Sequence, residues 1–142
     1  MTHASRDTST GLRFEEQIRI DRKDGINISK KRFCTFFKEK GIDVLDYLSW
    51  RFEPDEAYYL PEINEIVIYE KKFQQTSGSV DEKLGACAWK IQEYRALCEA
   101  ANINNVSYIY CFCSWFKNER YKKLLKFIRN TDGCDYFFKE AA

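Results

Sequence analysis

The chain has 142 residues, 44% of them apolar, with 11 Phe, 9 Tyr and 3 Trp against two Pro and six Gly. That composition excludes a disordered or collagen-like chain. A mean hydropathy of −0.56, with no apolar run near the roughly 20 residues that a bilayer demands, excludes a membrane-spanning helix.

Residues 1–10 are polar, lack the apolar centre of a signal peptide and read as a flexible tail. They precede a single domain over 11–142, expected in the cytoplasm. Gly11–Ile20 has the pattern of a short helix, with Thr8 to Thr10 available as caps. Ser29 to about Trp50 reads as helical: Ser29 offers a cap, Phe33, Phe36 and Phe37 an apolar face, and Gly41 an interruption. The apolar period then changes. Arg51–Leu60 and Glu65–Gln74 are rich in Tyr, Ile, Val and Phe, and the break Pro61–Asn64 joins them, which predicts a hairpin. Ser79, with Glu82 three positions on, forms a capping box for a long helix to about Ala101. Val106–Trp115 predicts a buried strand, Asn118–Asn130 a basic amphipathic helix, and Cys134–Phe138 a short last strand. A helical crossover from the hairpin to Val106–Trp115 requires a parallel pairing. The expected fold class is α/β, a mixed central β-sheet flanked by helices.

The 23 basic and 22 acidic residues nearly cancel, but they are segregated. Lys30–Lys40 holds five cations against Glu39, Lys117–Arg129 holds six against Glu119, and Asp43–Glu70 carries eight carboxylates against Arg51. Basic flanks around an acidic centre suit a protein that holds a polyanion against bound cations, and they equally suit solvated helix faces. Of the six cysteines, Cys111 and Cys113 form a CxC that alternation places on one strand face. Without CxxC pairs all six read as small buried hydrophobes. His3, the one histidine, lies in the tail, so Ser-His and His-metal chemistries lack a second component.

The chemistry concentrates at Glu53-Pro54-Asp55-Glu56 and Tyr69-Glu70-Lys71-Lys72-Phe73-Gln74. In an extended strand Ile68, Glu70, Lys72 and Gln74 share one face, and Tyr69, Lys71 and Phe73 the other. Five residues, Glu56–Leu60, precede the turn on the Asp55 side, and five, Glu65–Tyr69, follow it before Glu70. Symmetric pairing therefore sets Asp55 opposite Glu70 and sends Glu56 to the far face. Two facing carboxylates repel unless a cation lies between them, and a hard divalent ion such as Mg²⁺ fits that need. A lysine on the same face can orient water or neutralise charge on a phosphate. A cross-strand charge network on a solvated face would use the same residue types.

Pro54-Asp55, fourteen intervening residues and Glu70-Lys71-Lys72 resemble the signature of the PD-(D/E)xK nuclease superfamily, the fold of many restriction endonucleases and junction resolvases. The run from Glu70 to Leu84 resembles small restriction-endonuclease-like members. The resemblance implies a restriction-endonuclease-like core, α-β-β-β-α-β, over about residues 11 to 115. It implies Asp55 and Glu70 as metal ligands, the Lys71 carbonyl as a further ligand, Lys72 as catalytic lysine and Gln74 as a phosphate contact. Many members add an acidic residue from the first helix, a slot that Glu15 or Glu16 fits, Glu15 being preferred beside Phe14 and Ile18. The cofactor expected is Mg²⁺, with Mn²⁺ as a substitute.

The function so implied is a Mg²⁺-dependent endonuclease on double-stranded DNA, acting as a homodimer. Lys30, Lys31, Arg32, Lys122, Lys123 and Lys126 are its candidate nucleic-acid contacts. Two alternatives stand beside it: a junction resolvase or repair-type nuclease, and a non-catalytic nucleic-acid-binding module.

Overall fold

The computed structural model describes residues 11–49, 53–72 and 83–139, and for 11–15 the backbone alone. Five strands, β1 (Ile26–Asn27), β2 (Glu56–Leu60), β3 (Glu65–Lys72), β4 (Asn105–Phe112) and β5 (Cys134–Phe138), form one sheet in sequence order. β1, β2 and β3 are antiparallel neighbours, while β4 joins β3, and β5 joins β4, in parallel. Among the described residues four helices flank it: α1 (Gly11–Asp24), α2 (Lys31–Lys38), α3 (Cys87–Ala100) and α4 (Lys122–Asn130). The α/β class and the mixed sheet agree with the sequence reading.

Alternation on the central strands divides the core. Ile66 and Ile68 of β3, with Tyr108, Tyr110 and Phe112 of β4, face α2, α3 and α4 through Phe33, Phe37, Ile91, Tyr94 and Ile128. Val67 and Tyr69, with Ile109 and Cys111, face the other way, where Ile18 of α1 packs. Both faces being covered, β3 is apolar throughout Ile66–Tyr69 and β4 throughout Tyr108–Phe112, as parallel strands in α/β folds are. Each fully buried large side chain contributes roughly 1.5–3 kcal/mol.

The hairpin turn Pro61–Asn64 closes with Asn64 at φ 54°, a left-handed conformation that Asn tolerates better than most residues. Asn64 also accepts the Tyr59 hydroxyl at 2.7 Å and donates to the Asn102 carbonyl at 2.7 Å.

Several boundaries depart from the sequence reading. β1 was not expected: two residues give no periodicity, and pairing of Ile26 with Tyr59 defines it. Ser29 does not cap a helix. Its hydroxyl accepts the Ala57 N–H at 2.9 Å, and α2 begins two residues later and ends at Lys38. Gly41, at φ 79°, and a short 3-10 turn at Val44–Asp46 replace the rest of the expected helix. The capping box at Ser79 and Glu82 lies outside the described residues. A 3-10 turn, Leu84–Ala86, leads into α3. β4 ends at Phe112, and a 3-10 turn over Ser114–Lys117 follows instead of further strand. Cys111 and Cys113 consequently pack on opposite faces of the sheet. All six cysteines are free thiols; five are buried and Cys34 is half-buried. α4 starts at Lys122, preceded by a 3-10 turn whose N-cap Asn118 accepts the Arg120 N–H at 3.2 Å.

Candidate active site

β2 and β3 pair with Glu56 opposite Tyr69, the last pair of the ladder, and in that register Asp55, the bend just before β2, falls opposite Glu70. The Lys71 N–H donates to Asp55 Oδ2 at 3.3 Å, which ties the carboxylate across the strand gap. The two carboxyl groups are close enough to share a hydrogen bond. Burial is the first cause that pushes the Glu70 carboxyl up to about 7; the Asp55 charge and that shared hydrogen bond add to it. Lys72 and Lys90 oppose the rise. Lys72 lies two positions along β3 on the face of Glu70, as alternation requires.

Lys90, which the sequence reading missed, comes from α3. Its ammonium sits 5.9 Å from the centre of the Tyr108 ring, a cation–π distance. Burial lowers the Lys90 pKa and the Glu70 charge partly restores it. The site therefore holds two carboxylates and two lysines. Its floor is aromatic: Tyr94 stacks on Tyr108 at 5.8 Å, Tyr108 meets Tyr110 edge-on at 5.3 Å, and Tyr110 stacks on Phe112 at 5.2 Å. Tyr110 donates its hydroxyl to the Leu84 carbonyl at 3.0 Å. Burial raises the phenol pKa of Tyr94, Tyr108 and Tyr110, so they stay neutral around the carboxylates.

On the far face Glu56 has a separate set of partners. Arg22 grips it with two hydrogen bonds, Nε to Oε2 at 2.6 Å and Nη2 to Oε1 at 3.0 Å, and the Tyr58 hydroxyl donates at 2.6 Å. Lys71 Nζ lies 3.7 Å from the same carboxylate. Burial works against the Glu56 charge, but the bonds from Arg22 and Tyr58 outweigh it and hold the carboxyl below its usual range. Glu56 thus stands outside the Asp55–Glu70 site, as its alternation implied.

The described part of α1 covers this far face: Ile18 packs there and Asp21 accepts the Tyr69 hydroxyl at 2.7 Å. Glu16 is exposed. The Glu15 side chain and Gln74 lie outside the described residues. Lys30, Lys31 and Arg32 are exposed and line one cavity with Asp55. Lys122, Lys123 and Lys126 are exposed on α4, and Lys122 and Lys126 line a different groove beside Tyr136. The two basic segments thus open onto separate depressions.

Among the described residues no group of three or more His, Cys, Asp and Glu side chains gathers at one place. Two carboxylates are what the site offers a cation from its side chains. Both are oxygen donors of the kind a hard divalent ion takes, and a cation between half-buried Glu70 and exposed Asp55 would offset their repulsion. Among the described residues no helix is long and apolar enough to cross a membrane. Fold and site define an α/β protein with an acidic pair and two lysines beside one strand. Comparison with protein-family models, curated proteins and solved structures gives no match.

Proposed function

We propose that the chain is a metal-dependent phosphodiesterase of the PD-(D/E)xK type, a DNA endonuclease of restriction-endonuclease kind. The observation that carries this reading is the apposition of Asp55 and Glu70, with Lys72 on the same strand face. The order α1, β1, β2, β3, α3, β4 supports it, being helix, three strands, helix, strand, with α2 inserted between β1 and β2.

Asp55 and Glu70, with the Lys71 carbonyl, would hold Mg²⁺ or Mn²⁺, which when bound supplies a polarised phosphate oxygen and an acidified water. Lys72 places an ammonium beside Glu70, where it neutralises charge developing on a phosphate. Lys90 adds a second positive charge from the helix side. The tyrosine floor keeps water out beneath the carboxylates, which strengthens each of these interactions. Because one chain carries one such site, cutting both strands of a duplex calls for a homodimer or two successive nicks.

The test is cleavage of supercoiled plasmid in Mg²⁺, Mn²⁺ or EDTA, with Glu70→Ala and Lys72→Ala beside the wild type. Metal-dependent cutting lost in both variants is expected. No cutting by folded wild-type protein under either metal would overturn the reading. Cutting confined to four-way junctions would redirect it to a resolvase.

A further inference from the structure

Beyond the end of β1 the chain continues along β2 without regular pairing. Ile28 donates its N–H to the Ala57 carbonyl at 2.9 Å, Ala57 donates to Ser29 Oγ at 2.9 Å, and Lys30 donates to the Pro54 carbonyl at 2.7 Å. These bonds strap the segment ahead of α2 onto the residues that carry Asp55. At the strap's end Lys30 has φ 53° and ψ −128°, a conformation that glycine adopts readily and lysine adopts at a cost. The strap delivers Lys30, Lys31 and Arg32 to the lining of a cavity of about 610 Å³, which Asp55 and Glu53 also line. Among the described residues none of these three cations is paired with a carboxylate. Arg22 and Glu56, also in the lining, neutralise each other. Its volume falls in the range of ligand sites, about 300–1,000 Å³.

We infer that this cavity binds the phosphate backbone of a nucleic-acid strand, with Lys30, Lys31 and Arg32 on the phosphates that flank the one reaching Asp55. The nucleic-acid ligand is taken from the nuclease reading; the place and the residues come from the strap, the unpaired cations and the shared lining. A lysine held in a glycine-like conformation is then explained by where it puts its charge. α4, which opens onto another groove, is not required for this contact.

The experiment measures binding of a short fluorescein-labelled DNA duplex by anisotropy in EDTA, across a salt series, so that no cleavage is needed. The variants are Lys30→Gly and the double change Lys31→Ala/Arg32→Ala. Lys30→Gly is expected to melt no lower than the wild type and yet to bind several-fold more weakly. The double variant is expected to bind at least tenfold more weakly, and the slope of log affinity against log salt should shrink by about one for each lost phosphate contact. Unchanged affinity and slope in both variants would overturn the inference, and plasmid cutting by the wild type would then leave the nuclease reading standing. Weakened binding in both, from a wild type that never cuts, would support the cavity and overturn the catalytic reading instead.

Discussion

Lys71 donates its backbone N–H to Asp55 Oδ2 at 3.3 Å, so a carboxylate that precedes β2 is held against the one on β3. A hydrogen bond to a charged acceptor contributes about 1.5–3 kcal/mol. Asp55 is exposed, so the bond works at the low end of that range, and what it does is fix the direction of the carboxylate beside Glu70. The arrangement leaves Glu70 holding its proton to near neutral pH, which makes the pair measurable without any substrate.

The first prediction concerns that proton. Glu70 rises from an ordinary 4.5 to about 7, first through burial and then through Asp55. A carboxyl whose folded value exceeds its unfolded value binds its proton more tightly when folded. Its contribution to stability is therefore present below about 4.5 and is lost as the pH climbs through about 7. The full difference is at most about 3 kcal/mol. In EDTA the melting temperature should fall between pH 5 and pH 8 through this group, Glu70→Gln should remove that fall, and Asp55→Asn should move it to lower pH. Identical pH profiles for wild type and Glu70→Gln would contradict a raised Glu70 carboxyl.

The opposite sign applies on the far face. Glu56 is 7% exposed and is held by Arg22, Tyr58 and Lys71. Its carboxyl lies below the ordinary value, so its contribution is present above about 4.5 and is lost as the pH falls through the lowered value. Arg22→Met leaves that buried carboxylate short of its main donor and should cost about 1–3 kcal/mol, at the lower end because the Arg22 side chain is 45% exposed. Adding Glu56→Gln should recover part of the loss in chemical denaturation. An additive double variant would show that the pair is not coupled.

Asp21 is fully buried and accepts the Tyr69 hydroxyl at 2.7 Å and Gln17 Nε2 at 3.0 Å. Tyr69→Phe removes one donor from a buried carboxylate without changing the packing volume. The expected cost is about 1–3 kcal/mol in urea unfolding. A neutral result would show that the Tyr69 hydroxyl is not what holds Asp21 in place.

How far the sequence reached follows from the distance over which each feature is encoded. Asp55 facing Glu70 was legible because equal arms of a hairpin fix the register locally, and the alternation that sends Glu56 away comes with it. The α/β class was legible from the switch of apolar period around the crossover helix. β1 was not, because Ile26–Asn27 is a strand by virtue of Tyr58 and Tyr59, thirty residues on. Ser29 looked like a cap because its type suits both a helix start and a bond to a neighbouring strand, and Ala57 decides between them. The end of β4 at Phe112 was masked by a run of apolar residues that continues into a 3-10 turn. Lys90 carried no local mark at all: one lysine in Trp89–Gln92 looks solvated until α3 lays it over Tyr108.

Lys90 yields the last prediction. Its positive charge opposes the rise of the Glu70 carboxyl, so removing it should drive that group above about 7. Lys90→Met preserves the length of the side chain and its packing on Tyr108, and the fold should survive. The pH at which stability falls in EDTA should move upward, and the pH at which metal-dependent plasmid cutting sets in should move with it. Lys90→Arg, which restores the charge, should bring both back. Lys72→Met would share the first effect, since Lys72 also opposes the rise, but its loss of cutting should persist at every pH because its ammonium is assigned to the phosphate itself. If Lys90→Met left both pH profiles where the wild type has them, its charge would have no bearing on Glu70, and its place over Tyr108 would be a matter of packing alone.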